Sequence, residues 1–170
     1  MPEYKIRALT PADASAVLEF EFANKSFFAQ SIEARPDDFY QLEAVQLHIA
    51  DFIALNQQGL ALATLIFNSA DELIGRATIK DIDVVSQSAY VGYRIAKQWS
   101  GHGVASFALQ ALIRQAKLLK LRMLLACVST ENLASKRVLV KAGFQQMETI
   151  PKVAIVQGKT LDGYLMWLKL

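Results

Sequence analysis

Apolar and polar residues alternate over Tyr4-Lys5-Ile6-Arg7-Ala8-Leu9, the period of two that marks a strand with one buried face. Thr10-Pro11 follows as an N-cap and a proline at the first helical position, with Asp13 in the first turn. The spacing of Val17, Leu18 and Glu21-Phe22 then predicts a helix that ends near Asn24. Residues 26–35 carry no firm pattern. Pro36-Asp37-Asp38 opens a second predicted helix, because Phe39, Leu42, Val45, Ile49 and Phe52-Ile53 recur at helical spacing.

Three strands are predicted next. They span residues 60–67, then 73–81 after the turn residues Asn68-Ser69-Ala70-Asp71-Glu72, then 89–95 after Ser86-Gln87-Ser88. Connections this short predict adjacent antiparallel strands. Beyond Gly103 the period lengthens: Ala105, Leu109, Leu112, Ala116 and Leu119 form one stripe, and Ser106, Gln110, Arg114 and Lys117 the opposite face. That is an amphipathic helix. Residues 122–128, Arg-Met-Leu-Leu-Ala-Cys-Val, predict a central strand covered on both faces. Residues 132–141 read as another helix, stopped by Gly143. Val153-Ala154-Ile155-Val156, the turn Gln157-Gly158-Lys159 and residues 161–168 read as a closing hairpin. No linker, repeat or low-complexity stretch interrupts the pattern, which predicts one domain over residues 1–170.

Composition narrows the class of protein. Apolar residues make up 53% and charged residues 20% of the 170 positions, a globular balance in a chain long enough for a substantial core. The net charge of +2, without a basic run, leaves no footprint for nucleic acid or a membrane surface. The longest apolar run, residues 59–67, is about half of a membrane span, and no amino-terminal signal precedes Tyr4. A single cysteine, Cys127, suits a reducing compartment, so a cytoplasmic protein is expected. No His, Cys and carboxylate group has metal-ligand spacing, and no metal is expected.

Candidate chemistry lies where the period changes, at Gln98-Trp99-Ser100-Gly101-His102-Gly103-Val104-Ala105. Two glycines there serve either a plain strand-to-helix turn or a backbone cradle for phosphate. The first-turn amides of the following helix lack intrahelical partners, and with the helix dipole they attract an anion. A dinucleotide fingerprint needs a third glycine where Ser106 stands, and the lysine of a P-loop is absent.

The pattern Gln98-x-x-Gly101-x-Gly103 followed by Val104-Ala105 resembles the acetyl-CoA signature of the GNAT superfamily of N-acetyltransferases. A second block, Asn132-Leu133-Ala134-Ser135, Val138-Leu139 and Lys141-Ala142-Gly143-Phe144, resembles the asparagine helix and closing Gly-Phe of that superfamily. Arg35-Pro36-Asp37-Asp38, Ile74-Gly75, Val91-Gly92-Tyr93 and Gly158-x-x-x-Asp162 are similar to its RimJ/RimL-like branch of ribosomal-protein N-terminal acetyltransferases. The resemblance covers nearly the whole chain and is most specific over residues 91–144. It implies a mixed α/β fold with a central, mostly antiparallel mixed sheet of about seven strands, splayed at its centre, and about four flanking helices.

The resemblance also implies acetyl-CoA as cosubstrate. Its pantetheine arm would run along Tyr93, Arg94 and Ile95, and its pyrophosphate would sit on the amides from Gln98 through Gly101, His102, Gly103 and Val104 to Ala105. Asn132 would contact the pantetheine or hold an ordered water; read from the residues alone it is an N-cap. Many relatives carry an acidic tyrosine seven residues after that asparagine, a position held here by Leu139. In the RimJ/RimL-like branch the serine three residues after it lies near the sulfur, which makes Ser135 the candidate acid or donor to the thiolate. Lys136 and Arg137 are candidate partners for CoA phosphates, with a solvated helix face as the plain alternative.

The transfer needs an amine that loses a proton, a stabilised thioester oxygen and a protonated thiolate. Relatives often place a glutamate where Tyr90 stands, so the base is open between Asp81, Asp83 and water. A protein N-terminal amine has a pKa near 8, and water-mediated deprotonation suffices. His48 reads as structural or surface, and Cys127 as core. The expected acceptor is a protein N-terminal α-amine of ribosomal-protein type. A small amine (polyamine, amino acid or antibiotic) and a catalytically weak CoA-binding module are the alternatives. The expected partners are therefore acetyl-CoA and that acceptor, without nucleic acid or membrane, in a monomer or a homodimer formed through the closing hairpin.

Overall fold

A computed structural model describes residues 3–170. The alternating amino-terminal segment becomes β1 (Lys5–Ala8), which pairs antiparallel with β2 (Leu62–Phe67). Between them run α1 (Ala14–Ala23), the single turn α2 (Lys25–Phe28) and α3 (Leu42–Gln57). After β2 come β3 (Leu73–Asp83), β4 (Ser88–Ile95), α4 (Val104–Leu118), β5 (Met123–Ser129), α5 (Leu133–Lys141), β6 (Gln145–Val156) and β7 (Lys159–Lys169). The strands form one seven-stranded sheet in the order β1-β2-β3-β4-β5-β7-β6. Only β4 and β5, joined across α4, run parallel.

Each face of the sheet buries one layer. Leu109, Leu112 and Ala116 of α4 pack with Ala77, Ile79, Leu124 and Met166, all at 0% exposure. Burying a leucine or methionine side chain of this kind contributes about 1.5–3 kcal/mol. On the other face Val17 of α1 and Val45 and Ile49 of α3 cover Ala63 and Leu65 of β2.

The parallel contact is short. Ser88, Ala89 and Tyr90 pair with Met123, Leu124 and Leu125, and the register stops there. Beyond it β4 stays with β3 as far as Gly75↔Ile95, while β5 stays with β7 as far as Ser129↔Gly163. The sheet therefore splits between residues 91–95 and 126–129.

Several sequence expectations shift. The helix expected from Pro36 begins at Leu42, because Gln41 is extended (φ −117°, ψ 145°) and Asp37–Tyr40 close a separate 3-10 turn. The one-turn α2 is too short to show a period, so the described residues hold one short α-helix beyond the four that periodicity predicts. Strand β6 starts at Gln145, not at Val153; irregular register at Gln146/Glu148 and Ile150/Ala154 hides its alternation. β5 is not covered on both faces. Leu124, Ala126 and Val128 are buried, but Cys127 is exposed where the sheet has opened, so it is not a core residue.

Gly163 of β7 shows how closely the second half of the sheet is packed. A Cβ there would lie 2.7 Å from Cγ2 of Val153 and 3.1 Å from Sγ of Cys127, and a β-branched valine has little freedom to swing aside. Gly163→Ala is expected to destabilise the protein by about 1–3 kcal/mol. Urea denaturation checks this, and adding Val153→Ala should recover most of the loss.

Candidate active site

The entry to α4 leaves backbone amides free at a glycine turn. Gly101 and Gly103 have φ of +79° and +81°, left-handed conformations that cost an L-residue about 1–2 kcal/mol. A Cβ on either would meet nothing within 4 Å, so the backbone is open to a ligand on that side. Helical pairing begins with the Phe107 amide donating to the Gly103 carbonyl (2.9 Å). The amides of Val104, Ala105 and Ser106 thus belong to the unpartnered first turn of a fifteen-residue helix. The approach to this loop is pinned from α1. Buried Asn24 donates to the Phe20 carbonyl (2.8 Å) and its Oδ1 accepts from the Lys97 amide (2.9 Å).

This loop opens into a cavity of about 450 Å³ lined by Phe27, Phe28 and Trp99 on one side and by Asn132, Ser135 and Val138 of α5 on the other. A second cavity, about 570 Å³, lies across the sheet and is lined by Arg35, His48, Arg76, Lys80, Cys127 and Val153 among others. Ser31, Ile32, Tyr93, Arg94, Asn132 and Ser135 line both. The two cavities meet at the split between β4 and β5.

Two hydroxyls face each other at that junction. Tyr93 Oη and Ser135 Oγ are 3.0 Å apart, and burial pushes the Tyr93 phenol above its ordinary pKa even though the Ser135 hydrogen bond pulls it down. Tyr93 therefore keeps its proton. Asn132 caps α5, its Oδ1 accepting from the Ser135 amide at 3.2 Å, which fixes where Ser135 stands. Nearby, at the end of β5, the buried Ser129 hydroxyl has no hydrogen-bond partner among the described residues.

The far cavity rests on a buried charge cluster. Fully buried Glu21 of α1 accepts from Arg76 (2.5 Å), Arg35 (3.3 Å) and Arg94 (3.3 Å). Burial pushes the Glu21 carboxyl up, but the three guanidinium groups pull it further down, so it stays ionised. Burial and the neighbouring Arg35 and Arg76 lower Arg94 to about 10 despite Glu21, which leaves it charged at neutral pH. His48 Nε2 lies 2.9 Å from Arg76 Nη2. Because arginine only donates, that nitrogen accepts and the His48 proton sits on Nδ1. Burial and then the arginines lower His48 to about 4, so it is neutral.

The residues expected from the sequence are only partly brought together. Tyr93, Arg94, Ile95, Gly101, Gly103, Val104, Ala105, Asn132 and Ser135 line the first cavity. Gln98 does not; it lines a separate hollow beside Asn24 and Lys97. His102 is exposed, its Nδ1 3.0 Å from the Ser100 carbonyl and its ring against Trp99. Lys136 turns to β6 and β7, donating to Gln146 (3.1 Å) and lying over the Tyr164 ring, while Arg137 and Lys141 line the cavity. Leu139 is core. Asp83 accepts from the Val85 and Ser86 amides in its own turn, and neither it nor Asp81 lines these cavities. Sequence reasoning missed Trp99 and Phe27 as lining and the Glu21 cluster altogether. A carboxylate and three arginines lying far apart in the chain leave no local pattern.

Comparison with known proteins identifies the family. The model of the acetyltransferase (GNAT) domain family matches residues 4–145, and the chain belongs to that family. It is 32% identical over 144 residues, 83% of this chain and 80% of the other, to a probable N-acetyltransferase, YjcK, of Bacillus subtilis. It is 31% identical over 122 residues, 71% of this chain and 67% of the other, to the ribosomal-protein-serine acetyltransferase of Escherichia coli. Among solved structures, RimL, a ribosomal L7/L12 α-N-protein acetyltransferase in complex with coenzyme A, superposes with a TM-score of 0.91 at 24% identity. That match covers 98% of this chain and 94% of the other. The protein is an acyltransferase of the GNAT fold.

The depressed pKa of His48 has a measurable consequence. The unfolded side chain takes up a proton near 6.5 and the folded one only near 4, so stability is complete above 6.5 and falls as pH drops towards 4. Thermal denaturation followed between pH 7 and 4 should show this decline. His48→Gln, which keeps an acceptor for Arg76, should flatten it.

Proposed function

We propose that the protein transfers the acetyl group of acetyl-CoA to the α-amine at the N-terminus of a protein, of the kind acetylated on ribosomal proteins. The observation that carries this reading is the meeting of the two cavities at the Tyr93–Ser135 hydroxyl pair. One cavity begins at an anion-receptive helix N-terminus; the other reaches the opposite face. Donor and acceptor would then approach the same point from opposite sides of the sheet. The acceptor class is supported by the ribosomal-protein acetyltransferase among the relatives. We place the reaction in the cytoplasm and within a single domain; no helix among the described residues is long and apolar enough to cross a membrane.

The residues divide the work as follows. The amides around Gly101, Gly103, Val104, Ala105 and Ser106 hold the pyrophosphate. Backbone of β4 beyond Tyr90, unpaired on its β5 side, supplies hydrogen bonds to the pantetheine arm and to the thioester oxygen as it gains charge. The amine nitrogen bonds to the carbonyl carbon, the C–S bond breaks, and the Ser135 hydroxyl passes its proton to the departing sulfur. Tyr93, held protonated by burial, donates to Ser135 Oγ as that oxygen becomes negative. The proton lost by the amine leaves through water and restores Ser135, so amine and thioester become amide and thiol.

Calorimetric titration with acetyl-CoA, with NAD as control, should show saturable binding of acetyl-CoA alone. Gly103→Ala should weaken it at least tenfold, about 1.4 kcal/mol. Ser135→Ala should keep acetyl-CoA affinity and lower kcat about 100-fold, measured by mass spectrometry on peptides with a free N-terminus. Unchanged kcat would remove Ser135 from proton transfer, and absence of acetyl-CoA binding would remove the reading of the loop.

A further inference from the structure

The far cavity is strongly biased in charge. Four cationic side chains line it, Arg35, Arg76, Lys80 and Arg94, against a single carboxylate, Glu33. Glu21 beneath them supplies a second carboxylate but must serve three guanidinium groups at once. A purely structural ion pair would need one arginine. Arg76 is buried and Arg35 and Arg94 are mostly so. Three cations held this way against one buried carboxylate are costly, even with Arg35 over the Phe39 ring and Arg94 over the Phe28 ring. The surplus is also concentrated, since Arg76 and Arg94 stand directly opposite each other across β3 and β4, a like-charge placement that destabilises a sheet.

The same groups retain free hydrogen-bonding capacity. Glu21 engages Nη1 of Arg94, and Nε and Nη2 of Arg35. Nε and Nη2 of Arg94 and Nη1 of Arg35 have no partner among the described residues. Both side chains are 21% exposed, enough to present those donors to the cavity. Thr78, Lys80 and Gly92 continue the same face of β3 and β4, and Gly92 leaves room there because a Cβ on it would meet nothing within 4 Å.

We propose that the acceptor carries a carboxylate close to its reactive amine, and that Arg35 and Arg94 bind this carboxylate in the far cavity, with Lys80 adding positive charge further along β3. Given the peptide acceptor proposed above, on which this rests, the carboxylate is an Asp or Glu side chain within the first few residues. The positive surplus also disfavours an ammonium ion near the split, so it shifts the acceptor amine towards the neutral, nucleophilic form. This does the work of a dedicated base in a cleft where Glu33, itself exposed, is the only lining carboxylate among the described residues. A polyamine, cationic along its length, is the acceptor least suited to this lining.

The test compares short peptides that share an N-terminal serine and differ at positions two to four, which are Asp, Ala or Lys. The acidic peptide should show a kcat/KM at least tenfold above the neutral one, with the basic peptide lowest, and the ratio should shrink as NaCl rises from 50 to 500 mM. Lys80→Glu, at an exposed position, should cut the acidic-to-neutral ratio at least threefold, and Glu33→Gln should raise it. Equal rates for the three peptides, or a preference for the basic peptide or for spermidine, would overturn the proposal. If free glutamate is acetylated and no peptide is, the peptide reading falls and the carboxylate proposal stands. Should turnover be too slow to rank, calorimetry with the N-acetylated peptides and CoA-loaded protein reads the same order. Equal affinities there would also overturn it.

Discussion

Everything at this site depends on where the parallel pairing between β4 and β5 stops. Three residue pairs hold the two halves of the sheet together, and beyond Tyr90 each strand keeps only its antiparallel partner. A continuous ladder would have satisfied the inner edge of β4 and closed the passage. The split leaves backbone groups of residues 91–95 unpaired on one side, and buried backbone polar groups need partners. An extended ligand arm can supply them. The same opening explains why Cys127, in an otherwise apolar strand, is exposed.

Two anchors keep the open half in place. Asn24, at the end of α1, ties the loop ahead of α4 to the first helices through the Lys97 amide. Glu21, one turn earlier, ties α1 to β3, β4 and the loop before α3 through three arginines. A single short helix thus positions both the glycine loop ahead of α4 and the floor of the second cavity. Asn132 does the equivalent for α5, since capping the helix places Ser135 against Tyr93.

Periodicity made most of the fold legible, because long strands and amphipathic helices advertise their buried faces. It failed where the signal is short or interrupted: the single turn α2, the extended Gln41 before α3, and the bulged first half of β6. The paired glycines marked a strand-to-helix turn, and Gly101 and Gly103 are both left-handed where it enters α4. Side-chain direction was less legible. Lys136 and Arg137 are adjacent, yet the step of about 100° around the helix between them sends one to the β6–β7 hairpin and the other to the cavity. Tyr93 was expected beside the pantetheine arm, but its hydroxyl contact with Ser135, 42 positions away, was not legible. The Glu21 cluster joins residues from four separate elements and left no trace in any one of them.

Amide hydrogen exchange with and without acetyl-CoA tests the central claim most directly, because it reports on the backbone itself. If the split in the sheet receives the pantetheine arm, acetyl-CoA should slow exchange in residues 91–95 and 101–106 and leave the β6–β7 hairpin unchanged. Binding that protects neither segment, or that protects all strands equally, would contradict the account.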